Sequence, residues 1–210
     1  MARDENTNER LKAERKEKIL NGSLKLFATR GLAATKISDI ADACEMSQGL
    51  VYHYYKNKEA IFNELIAHAL NKMIEACLWL EAQELPVAQK IHMAVDGLLT
   101  LMQQKPENAY NYLLIAQASL SEAIPEEAQQ LLQEKTPLPH EIMGRIFALG
   151  QEEGSIKPFP PQEQALLFWT TLKGLALQKA IHGATLQLPQ TSLITGMFLK
   201  ETYEPKPDSN

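Results

Sequence analysis

The chain has 210 residues, 22% of them charged, a formal net charge of −5 and two cysteines. That length suffices for one large or two small domains with a substantial core. No run approaches the ~18 uninterrupted apolar residues of a membrane helix. The polar, acid-bearing start MARDENTNERLKAERKEK does not fit a signal peptide, so cytoplasmic residence is expected. Cys44 and Cys77 fall on apolar helical faces and read as buried thiols, with no zinc-ligand spacing around them.

The charge is unevenly placed. Residues 1–58 carry 11 Lys/Arg against 8 Asp/Glu, whereas residues 59–210 carry 10 against 18. A mildly basic head on an acidic body fits a nucleic-acid binder whose affinity comes from few phosphate contacts.

Residues 1 to about 9 read as a polar, disordered tail, in which Arg3, with Arg10 beyond it, could form an arm. A first helix follows from about Arg10 to Arg30. Ile19, Leu20, Ser23, Leu26 and Phe27 form its buried stripe, and Gly31 ends it. Lys25 lies on the outer side, within reach of phosphate. Thr35 suits an N-cap, and Ile37, Ile40, Ala41 and Cys44 then share one apolar face. The pattern breaks at Glu45-Met46. Ser47 caps a second short helix with Val51 and Tyr55 inside, and Asn57 caps a third with Glu59 in its first turn.

Two short helices joined by a tight turn describe a helix-turn-helix, whose second helix enters the DNA major groove. The residues left outside suit that task. Gln48 can read a base edge, Gly49 lets backbone approach, Leu50 offers an apolar contact and His53 a donor. Tyr52, Tyr54, Lys58, Thr35 and Lys36 are candidates for phosphates, which set register without reading sequence, and Ser47 is a further candidate DNA contact. For this window alone, solvated surface helices remain the alternative.

The run Thr35…Asp39-Ile40-Ala41…Ser47-Gln48-Gly49-Leu50-Val51-Tyr52-His53-Tyr54-Tyr55-Lys56-Asn57-Lys58-Glu59 resembles the DNA-binding motif of the tetracycline-repressor (TetR) family. The upstream Ile19-Leu20…Leu26-Phe27…Arg30-Gly31 is similar to that family's first helix. Two positions depart from the family pattern. Glu45 stands where glycine is usual and would have to tolerate a positive φ. Tyr55 stands where phenylalanine is usual, which leaves a hydroxyl in need of a partner. The resemblance implies a DNA-binding domain over 1–57, and over 58–210 a body that dimerises through its last two helices and holds a ligand pocket.

Beyond Asn57, a helix to about Glu81 keeps apolar spacing through Phe62, Leu65, Ile66, Ala69, Leu70, Met73, Cys77 and Leu80. Pro86 opens the next helix, with Ile91, Val95, Leu98, Leu99 and Met102 inside, and Pro106 ends it. Further helices are expected at about 107–119, briefly after Pro125, at 138–153, at 161–182 and at 190–203. Gly154 to Pro161 reads as an ordered loop. No strand pattern competes, so the fold class is all-α.

The helix at 161–182 is apolar nearly all round and must be covered on both sides. A second copy would do this through a four-helix, two-fold interface, for which Phe168, Trp169, Leu172, Leu175, Ala176, Leu193 and Met197 are the candidates. Two heads would then read an inverted repeat. Met73, Trp79, His92, Met93, Tyr110, Tyr112, Met143, Phe147, Trp169 and Lys173 are candidates to line a small-molecule site. No phosphate loop, metalloprotease helix or nucleophile elbow is present, so no catalytic role, metal or cofactor is expected. The expected function is a dimeric transcriptional repressor released by an unidentified small-molecule effector. A helical protein-interaction adaptor is the alternative.

Overall fold

The computed structural model describes residues 2–200, with side chains at Thr7 and from Glu9 onward. Among these residues there are ten α-helices and no strand, apart from one isolated antiparallel bridge between Ile156 and Leu199. The all-α expectation holds. None of these helices is long and apolar enough to cross a membrane.

The chain divides into two compact units. One comprises Met1–Leu70 with Tyr110–Gln133, the other Asn71–Ala109 with Glu134–Asn210. In the first unit, α1 spans Ala2–Ala34 and is broken at Gly31 (φ 76°, ψ 171°). The helix starts well before Arg10, where a disordered tail was expected. The segment is rich in residues that favour helix, and Arg10 pairs with Glu14 one turn on at 3.5 Å. The side chain of Arg3, expected as part of a flexible arm, lies outside the described residues.

Helix α2 spans Ile37–Ala43, α3 Gln48–Tyr54 and α4 Lys58–Glu81. At 1.5 Å per residue, the 24 residues of α4 extend roughly 36 Å. Ile19, Phe27, Ile40, Val51, Ile61 and Ile66 are buried together in this unit, and Phe27 meets Phe62 edge-to-face at 5.4 Å. Helix α6 (Ala109–Leu120) and α7 (Glu126–Lys135) complete it. The Asn63 amide donates to Glu127 of α7 at 2.5 Å. Lys25, expected near phosphate, holds its ammonium over the Tyr110 ring at 5.8 Å.

In the second unit, α5 (Val87–Gln104), α8 (Pro137–Glu152) and α9 (Pro161–His182) enclose a core of Ile91, Val95, Met102, Met143, Phe147 and Phe168. The Glu153 carboxylate accepts from the Val87 N–H at 2.9 Å and so caps the start of α5. Gly150 is obligatory, because a Cβ there would collide with Ile156 and Val87.

The last helix is much shorter than expected: α10 is Thr191–Thr195, and Tyr203 lies outside the described residues. Instead of continuing as helix, Phe198 to Lys200 run beside the loop after α8. Lys157 N–H donates to Phe198 O at 2.9 Å, and Lys200 N–H to Ser155 O at 3.0 Å. These bonds bury Phe198 against Phe147 and Phe168.

Candidate nucleic-acid interface

The turn between α2 and α3 is built by local chemistry. Glu45 has φ 52°, the left-handed conformation expected where glycine is usual. The Ser47 hydroxyl accepts from Leu50 N–H at 3.2 Å, as an N-cap should. Asn57 caps α4 by accepting from Ala60 N–H at 2.9 Å. Helix α2 packs closely on α1. The Cys44 thiol sits against the Lys18 carbonyl at 3.4 Å, and a Cβ on Gly22 would lie 2.5 Å from its sulfur. Burial pushes the Cys44 thiol pKa up, partly offset by Lys18, so it remains a neutral packing group.

Val51 and Tyr55 fix the inner side of α3, with Val51 fully buried. Gln48, Gly49, Tyr52 and His53 are exposed and Leu50 and Tyr54 half-buried; Tyr52 is 53% exposed. His53 and Tyr54 rings meet edge-to-face at 5.1 Å. Lys36 and Ser47 are exposed beside this surface. The outward side of α3 thus carries an amide, an imidazole and a phenol, with no acidic group on the helix. Such a surface has the donors and acceptors for base edges and phosphates.

Two candidates are corrected. Thr35 is fully buried and its hydroxyl donates to Gly31 O at 2.8 Å, so its side chain has no face to offer. The N-cap of α2 is Lys36 instead, whose N–H is held by Asp39 at 3.1 Å. The Lys58 ammonium is committed to the carbonyls of Leu32, Ala33 and Thr35 at 2.7, 3.2 and 2.9 Å. It closes the end of α1, where unpaired carbonyls attract a cation. The sequence offered no signal for this, because it depends on a contact over 23 to 26 residues.

Beneath the interface, Lys16 ties Glu64 at 2.9 Å and lies over the Tyr55 ring at 4.8 Å. The buried Tyr55 hydroxyl has no hydrogen-bond partner. Burial raises its pKa and the Glu64 carboxylate adds to the rise.

The proposed body residues are divided between the two units. Tyr110 and Tyr112 belong to the first unit, the others to the second. Met143, Phe147 and Trp169 are closed into core, His92, Met93 and Trp79 are exposed, and Met73 is half-buried. Trp169 and Lys173 meet, and His140, unremarked in the sequence, joins them. The dimer candidates are likewise redistributed. Phe168, Trp169, Leu172 and Ala176 are buried within this chain, Leu175 is half-buried, and only Leu193 and Met197 are exposed. The outward apolar residues of α9 are Leu166, Leu167, Leu177 and Ile181, the last 60% exposed. Helix α9 is apolar all round, so periodicity could not say which side faces inward. Among the described residues no group of three or more His, Cys, Asp and Glu could hold a metal ion.

Residues 19–65 match the family described as "Bacterial regulatory proteins, tetR family". Over 64 residues the chain is 42% identical to the uncharacterized HTH-type transcriptional regulator YerO of Bacillus subtilis, a match covering 29% of this chain and 22% of that relative. It is 25% identical to the HTH-type transcriptional repressor KstR2 of Rhodococcus jostii over 75% of each chain. Among solved structures, the SmeT–triclosan complex superposes with a TM-score of 0.68 at 13% identity, covering 93% of this chain and 100% of that one.

Proposed function

We propose that this chain, which belongs to the tetR family of bacterial regulatory proteins, represses transcription by binding a pseudo-palindromic operator as a dimer and leaves it when a small molecule binds. The observation that carries this reading is the capped helix α3, seated through Val51 and Tyr55, with Gln48, Gly49, Tyr52 and His53 outward. In this reading Gln48, Gly49, Leu50 and His53 face bases, while Tyr52, Tyr54, Lys36 and Ser47 hold phosphates. On this reading the protein works in the cytoplasm, as a regulator and not as an enzyme.

Residues 1–57 are the reading head and 58–210 the regulatory body. The second copy covers Leu166, Leu167, Leu177 and Ile181 of α9 with Leu193 and Met197 beyond it. Exposed Gly174, with open space where a Cβ would stand, lets the paired helices approach closely. An apolar face of this kind on a single chain favours an obligate partner. A ligand acts by binding the conformation that fits the operator less well; a structural neighbour, SmeT, is known in complex with the small molecule triclosan.

Sedimentation equilibrium together with anisotropy of a labelled random-sequence duplex tests the reading. A dimer whose DNA affinity falls steeply with salt supports it. A protein that never binds duplex DNA, even at low salt, is instead an adaptor that contacts proteins only.

A further inference from the structure

Lys173 of α9 and His140 of α8 face each other, with Lys173 Nζ 3.4 Å from His140 Nε2. Both side chains are half-buried. The Trp169 ring lies beside both, 5.9 Å from the ammonium and 6.1 Å from the imidazole. Among the described residues, no carboxylate stands within ion-pair distance of either base. The adjacent Glu141 is exposed and acts on Arg145. An ammonium removed from water beside a second base, with no acid to answer it, is an unmet charge.

We propose that Lys173, His140 and Trp169 form the head of a binding site for a singly charged, largely apolar carboxylate. This rests on the ligand-responsive reading above and gives it a ligand class. The charge follows from the geometry. A charged Lys173 can only donate, which makes Nε2 the acceptor in this contact and leaves the ring neutral with its proton on Nδ1. The pair then carries one positive charge. Burial lowers the pKa of both groups, and Lys173 lowers that of His140 further, which keeps the ring neutral. Two ammonium hydrogens remain for the two oxygens of one carboxylate. Trp169 is tied down, its Nε1 donating to Pro139 O at 3.0 Å, so the indole offers apolar surface only.

Calorimetric titration of the full dimer with acetate, benzoate and octanoate tests the site. Octanoate binds, and its methyl ester does not. Lys173→Met weakens octanoate about tenfold or more, the loss of a charge-assisted contact, and Lys173→Arg retains most of it. Octanoate also raises the NMR-observed His140 pKa in the wild-type protein, which needs no variant to fold. If none of the three acids binds at millimolar concentration, or the ester and the Met variant bind as well as acid and wild type, the site is overturned. Sequence-selective DNA binding by that same preparation would then leave the regulator reading intact, whereas its absence would overturn that reading instead.

Discussion

The Lys58 ammonium donates to the Leu32 carbonyl at 2.7 Å, across the join between α4 and the end of α1. With two further carbonyls it holds the segment from which α2 begins. The head is therefore braced by a residue that charge alone would assign to phosphate. Lys58→Met should lower stability by about 1.5–3 kcal/mol in urea denaturation. It should leave the slope of log affinity against log salt unchanged. A slope reduced by about 0.9 per subunit, about 1.8 for the bound dimer, would mean that Lys58 neutralises a phosphate after all.

Glu45 occupies φ 52° with only a loose, exposed 3.8 Å contact to Lys18. Such surface pairs contribute little. Glu45→Gly should raise stability by about 0.5–1 kcal/mol, the left-handed penalty less the entropy glycine gives up. A lower urea midpoint would show that the turn is held by something other than its backbone.

Tyr55 carries an unpartnered hydroxyl in the head's core. Tyr55→Phe should be neutral or stabilising by up to about 1 kcal/mol. The phenol pKa is raised in the folded protein, so its contribution is fully present below the unfolded value of about 10 and is lost as pH rises beyond it. Wild-type stability should therefore fall more steeply than that of the phenylalanine variant in alkaline denaturation. Identical curves would remove Tyr55 from the account.

The faces of α9 separate core from contact. Phe168→Ala should cost about 3–5 kcal/mol of stability, whereas Ile181→Asp should leave a folded chain that sediments as a monomer. If Ile181→Asp remains dimeric, the outward face of α9 is not the interface.

Burial pushes the Cys77 thiol up to about 12, with Glu81 adding to it. Native protein at mildly alkaline pH should leave Cys77 unmodified by a thiol reagent until denaturant is added. Prompt labelling of Cys77 in the native chain would contradict its burial.

What the sequence made legible was local. Ser47, Asn57, Gly31 and Glu45 act within a few residues of themselves, and each does what its residue type and neighbours imply. Val51 and Tyr55 were legible because a short amphipathic helix has one inner side. Thr35 and Lys58 were misread because their partners lie in the tertiary structure: a residue chosen for capping or charge is spent elsewhere. Phe168 and Ile181 could not be told apart on a helix without a polar side. The shortening of α10 came from pairing of Leu199 with Ile156, 43 residues earlier, which no local pattern announces. His140 falls within the helix expected at 138–153, where no local pattern announces its contact with Lys173, 33 residues on.

The central claim is that α3 reads a particular DNA sequence twice. Selection from random duplex DNA with the purified wild-type protein, followed by sequencing of the recovered sites, tests it most directly. The account predicts an inverted repeat, with preference at one base pair per half-site relaxed by about 1–3 kcal/mol in Gln48→Ala. Recovered sites that show no enriched motif at low salt would contradict it.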